Sequence, residues 1–157
     1  MPAPSDWSTS LPDAIDALVQ ALTVAPELED VAVWDGPVVT KATQKEILAV
    51  GFSGVEGDTD AEATTSREGL GGSRDRESFT IRCAAAVLIG TTKVAVARRR
   101  AYEIVSAAGA VLASNRTLDG TVMRAQIGTH SLGQEQTSHG AQVIVTFGVD
   151  CDAFTRR

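Results

Sequence analysis

From Phe79 to Ile89 every second residue is apolar, with Phe79, Ile81, Cys83, Ala85, Val87 and Ile89 on one side and Ser78, Thr80 and Arg82 between them at the start. Only an extended chain places alternate residues on one side, so this stretch reads as a strand with one face in a core. Gly90 ends it, Thr91 or Thr92 offers a helix cap, and a helix is expected to run to about Ala113. Its inward stripe is Val94, Ala97, Ala101, Ile104, Val105, Ala108, Val111 and Leu112, spaced for one helical face. Gly109 lowers helix propensity and suggests close packing at that point.

The rest of the chain supplies partners for this strand and helix. Residues 1–9 hold Pro and Ser without an apolar period and read as a flexible N-terminal tail. A first helix starts with Ser10 as N-cap, followed by Pro12 and Asp13, buries Leu11, Ile15, Leu18, Val19 and Leu22, and stops before Pro26. Val31 to Trp34 forms a strand ended by Asp35-Gly36-Pro37, and a second strand lies near Ile47 to Phe52. Residues 53–77 are rich in Gly, Ser, Thr and charge, which fits a functional loop, an extended hairpin arm or a disordered segment. Asn115 to Gly120 turns the chain into two more strands, near Thr121 to Thr129 and Ala141 to Cys151. Their core faces are expected to be Met123, Ala125 and Ile127 on one, and Val143, Val145, Phe147 and Val149 on the other. The order predicts one α+β domain over residues 10–152. It has a largely antiparallel or mixed sheet, two helices packed on one face and a long extended loop or β-hairpin arm, with 153–157 as a C-terminal tail.

At 157 residues such a domain can bury a sizeable core. Aromatic residues make up only 4%, so Ala and Val must do much of the packing. A formal charge of -6 removes any generic attraction to phosphate backbones. The N-terminus lacks a basic stretch followed by an apolar one, and no apolar run is long enough to span a bilayer, so a cytoplasmic protein with no membrane partner is expected. Cys83 and Cys151 form no CxxC unit and read as buried thiols.

Several constellations invite chemistry. Glu56, Asp58, Asp60 and Glu62 alternate four carboxylates, but counted from Asp58 a calcium-binding loop would need glycine where Ala63 stands and an acid where Gly69 stands. Gly69-Leu70-Gly71-Gly72 precedes a strand, whereas phosphate cradles open helices. His130 and His139 flank a hairpin. Setting Met123, Ala125 and Ile127 beside Val143, Val145 and Phe147 gives paired positions an even sum, which places the two imidazoles on opposite faces. No GxSxG nucleophile motif occurs and neither Cys has a nearby His, so neither an enzyme nor a cofactor is expected.

The sharpest remaining signal is Arg98-Arg99-Arg100 on the long helix, because three successive positions sweep about 200° and cannot face one surface. A local account pairs Arg99 and Arg100 with Glu103. A functional account has these guanidiniums reach carboxylates of a neighbouring subunit, where their forked donors suit bidentate pairing.

Taken in order, the helix ending near Ala25-Pro26, the strand and turn Val31-Ala32-Val33-Trp34-Asp35-Gly36-Pro37, the polar loop, the strand closing at Gly90, the helix with Arg98-Arg99-Arg100-Ala101-Tyr102-Glu103, the Leu118-Asp119-Gly120 turn and the terminal hairpin resemble the tail terminator proteins of long-tailed bacteriophages. The resemblance covers Leu11 to Val149. It implies a structural virion protein assembled in the host cytoplasm and carried at the head-proximal end of the tail. Six copies would form a ring that caps the tail tube, stops its growth and joins it to the head connector or stopper protein, with DNA passing through unbound. The family has no catalytic residues to transfer, so Glu56, Asp58, Asp60, Glu62, Arg98, Arg99 and Arg100 are expected as interface residues. The alternatives are another head-tail connector or tail tube subunit, or an unrelated α+β enzyme or small-ligand-binding domain.

Overall fold

A computed structural model describes residues 7–37, 45–67, 74–90 and 92–156. Helix α1 (Leu11–Thr23) and a 3-10 turn (Pro26–Leu28) lead into β1 (Ala32–Asp35), β2 (Glu46–Val50), β3 (Ala61–Arg67) and β4 (Arg74–Ile89). Helix α2 (Val94–Ser114) follows, then β5 (Arg124–Thr137) and β6 (Gly140–Arg156). The strands form one six-stranded sheet in the order β1-β2-β4-β6-β5, with β3 also paired to β4. β1 and β2 are parallel and every other pair is antiparallel, so the α+β sheet is mixed.

The long alternating strand organises the sheet. β4 pairs with β6 along its whole length, from Arg74 opposite Arg156 to Ile89 opposite Ala141. Its other edge is divided, with β2 against Cys83 to Val87 and β3 against Asp75 to Ile81. Phe79, Ile81, Cys83, Ala85 and Val87 are buried on one face, and both helices cover that face with Leu18, Leu22, Ile104 and Leu112 among the buried side chains. Each such large side chain contributes about 1.5–3 kcal/mol when taken from water. The expected stripe of α2 is buried except for Val94, which is only partly covered.

Several boundaries differ from the sequence reading. Residues 153–156 continue β6, and Ala153 and Thr155 are buried. This corrects the expected C-terminal tail at 153–157, because β4 begins at Arg74 and supplies a partner for the extension. Residues 61–67 and 74–77 of the expected 53–77 loop are strand, so this segment carries a β-hairpin arm. Its Gly69 to Gly72 motif lies outside the described residues.

The terminal hairpin also has a different register. β5 extends to Thr137 and meets Gly140 across a turn at Ser138 and His139. Ala125 and Ile127 face Cys151 and Val149, and beyond a bulge at Gly128 and Thr129 the pairing shifts so that His130 faces Phe147. The bulge swaps which parity faces the helices. The even-sum argument therefore fails beyond Ile127, and Met123, expected in the core, precedes the strand and is 43% exposed.

The start of α1 is held from the other end of the hairpin arm. Glu77 accepts hydrogen bonds from the Thr9 hydroxyl at 2.5 Å and the Ser10 N–H at 2.9 Å, and Thr9 Oγ1 accepts from the Leu11 N–H at 3.2 Å. Ser10 stands at the N-cap position as expected, but its backbone has right-handed helical dihedrals and its side chain makes no capping hydrogen bond. Thr9 is thus tied down although it fell within the expected tail, of which residues 1–6 lie outside the described residues. At α2 the N-cap position is Lys93, with no side-chain cap, and Thr91 lies outside the described residues. After α2, Leu118 and Asp119 adopt φ of 47° and 59°, a left-handed pair that bulky residues adopt only under constraint. The constraint is visible: the Leu118 side chain is fully buried, and Asn115 Oδ1 accepts from the Asp119 N–H at 2.9 Å.

Candidate interaction surface

α2 lies over β4, β6 and β5, so the three arginines fan out from one turn toward different parts of the molecule. Arg98 donates to Gln134 Oε1 on β5 at 2.7 Å. Arg100 points to the opposite side, donating from Nε to Glu46 Oε2 at the start of β2 (2.5 Å) and from a terminal nitrogen to Glu103 Oε2 (3.3 Å). Its partial burial lowers the guanidinium pKa, but Glu46 and Glu103 outweigh that and hold it above its ordinary value. Arg99, between them, is exposed and makes no hydrogen bond or ion pair with the described residues. The local pairing with Glu103 is therefore made by Arg100 and not by Arg99.

Beside Arg98, Tyr102 and His130 form a T-shaped pair with ring centroids 5.5 Å apart, the Tyr102 hydroxyl 3.0 Å from Nδ1 of His130. This seam joins the first half of α2 to the exposed half of β5. Val96, 51% exposed, shares with the arginines an open groove of about 820 Å³ along the outer side of α2.

The acidic residues are placed elsewhere, Glu56, Asp58 and Asp60 between β2 and β3 and Glu62 at the start of β3. Asp58 pairs with Arg82 at 3.4 Å, and Asp60 Oδ1 accepts from the Ser53 N–H at 2.9 Å. Glu56 and Glu62 are exposed. Two of the four carboxylates thus hold the turn onto the sheet, and among the described residues no group of three or more His, Cys, Asp or Glu side chains could hold a metal ion. The arginines and the acidic run are not in contact within one chain; each forms a separate patch.

A second carboxylate network lies at the far end of the sheet. Asp152 accepts from Ser78 Oγ at 2.8 Å and Arg124 at 2.9 Å, with Arg76 at 3.9 Å. The Ser78 hydrogen bond, followed by Arg124 and Arg76, holds its carboxyl below the usual value against the effect of burial. Sequence reasoning missed this network, because its members converge only through the β4–β6–β5 register. It also missed the exposed edge of β5, which the early expected end near Thr129 concealed.

Cys83 and Cys151 are free and buried, and burial pushes both thiols up to about 12. Among the described residues no helix is long and apolar enough to cross a membrane. No family model and no curated protein matches the chain.

Proposed function

We propose that this chain is a structural subunit of a phage tail, acting as a tail terminator. It assembles head to tail into a closed ring that caps the tail tube, ends its growth and offers a surface to the head connector or stopper. The observation that carries this reading is the pair of separated, oppositely charged patches on one small domain, the arginines of α2 and the Glu56 to Glu62 run. A ring that closes by rotation needs a heterologous interface, in which two different patches of one subunit meet the complementary patches of its neighbours. The order of elements from Leu11 to Val149 adds the family resemblance. The net charge of -6 suits a ring through which DNA slides without being held.

Phage particles made without this protein are expected to carry tails of uncontrolled length that are not attached to heads, seen by electron microscopy. Tails of normal length joined to heads would overturn the assignment. A tube subunit, the nearest structural alternative, would polymerise into long cylinders in purified form, whereas a terminator stops at one ring.

A further inference from the structure

We propose that the sheet continues from one copy of this chain into the next, the outer edge of β5 in one copy pairing with the outer edge of β3 in its neighbour as antiparallel strands. The pairing rests on the ring reading above and names the contact that would close it.

Both edges are open among the described residues: β5 pairs only with β6 and β3 only with β4. Residues 130–136 of β5 and 62–66 of β3 are exposed throughout. An edge strand presents backbone N–H and C=O groups that another strand can satisfy, and chains that avoid such pairing usually place Pro or Lys there. Neither 130–137 nor 61–67 contains either residue. The bulge at Gly128 and Thr129 lies before this part of β5.

Direction favours the same partner. β3, β4, β6 and β5 alternate, each antiparallel to the next, so β3 and β5 run in opposite senses within one chain. A neighbour in the same orientation, with its helices on the same side, therefore brings β3 antiparallel to β5. Two β5 edges would meet antiparallel only across a two-fold axis, which stops at a dimer. The lengths match as well, since seven residues of β3 and the eight from His130 to Thr137 span about 23 and 26 Å at ~3.3 Å per residue.

Charge constrains the register rather than driving the contact. Antiparallel pairing sets the start of β3 against the end of β5; Glu62 lies on the sheet face away from the helices, whereas Gln134, bonded to Arg98, lies on the face the helices cover. Glu135 and Glu62 project from the same face, so the register must keep them from standing directly opposite.

Cysteine pairs on the full-length chain test this. Cys83 and Cys151 are buried, so introduced surface thiols dominate oxidation. Ser131→Cys is combined in turn with Glu62→Cys, Thr64→Cys and Ser66→Cys, all exposed and on one face. Mild oxidation should give a ladder of covalent oligomers for at least one double variant, and none for any single variant. Dimers from Ser131→Cys alone would overturn the pairing in favour of a two-fold contact. A closed oligomer by native mass spectrometry, with no ladder in any double variant, would overturn the pairing and leave the ring intact. A chain that stays monomeric would overturn both. A ladder from a chain whose loss leaves phage tails normal would uphold the pairing and sink the terminator role.

Discussion

A buried carboxylate needs donors, and Glu77, 1% exposed, finds them in Thr9 and Ser10 at the start of α1. Its negative end also complements the helix dipole there. Glu77→Ala removes both acceptors and leaves an N–H and a hydroxyl under cover, so it should cost about 2–4 kcal/mol in urea unfolding. A loss below 0.5 kcal/mol, within the range of an ordinary surface substitution, would show that the latch is dispensable. Nothing local in the sequence marks Glu77, because its partners lie 67 and 68 residues away. The two thiols were easier to read, since Cys83 shares the parity of a clean apolar alternation. Their ionisation is also linked to folding. With both held at about 12 in the fold against 9.0 when free, the unfolded chain binds fewer protons above pH 9. Stability from this source is complete below pH 9 and falls as pH rises toward 12, by about 1.4 kcal/mol per pH unit for each thiol. Cys83→Ala should reduce that alkaline slope in thermal or urea melts; an unchanged slope would exclude the thiol as its source.

The elements separate glycines that the fold requires from those it tolerates. A Cβ at Gly109 would meet Ile127 Cδ1 at 3.6 Å, an ordinary contact, so the close packing expected there is not needed. Gly109→Ala should stabilise the protein by about 0.5–1 kcal/mol through helix propensity alone. Gly140 is the opposite case. Its φ is 124°, and a Cβ would run into the Ile89 carbonyl, which is backbone and cannot swing aside. Gly140→Ala should lower the melting temperature, and equal stability of these two variants would contradict the geometry of the hairpin turn. The same contrast explains what the sequence could reveal. Period-two and helical stripes made β4 and α2 legible, and with them the two-layer α+β design. The β5 register was not legible, because one extra residue at Gly128 and Thr129 reverses parity without changing the apolar pattern before it. Likewise the 53–77 segment looked like a loop because β3, AEATTSR, has no buried face to give it an apolar period.

For the whole molecule, the decisive question is whether a charge holds the subunit together or joins it to another. Arg100 is committed inward: its side chain is 31% exposed and bound to Glu46 and Glu103, so Arg100→Glu sets three carboxylates together. That variant should lose about 1–3 kcal/mol of folding stability. Arg99 has no such role, and Arg98 meets only the neutral Gln134 among the described residues. Reversal at either position should leave the fold within about 0.5 kcal/mol of the original, or somewhat beyond for Arg98 through its lost hydrogen bond. If they face the acidic run of a neighbour, however, Arg98→Glu and Arg99→Glu should weaken association by tenfold or more, the effect of removing ~1.4 kcal/mol per interface. Sedimentation velocity over a concentration series, beside thermal melts of the same samples, separates the two behaviours. Compensating reversals at Glu56 and Glu62 should restore assembly to the Arg99→Glu chain without altering its melting temperature. Unchanged assembly in both arginine variants would confine the arginines to the subunit that carries them.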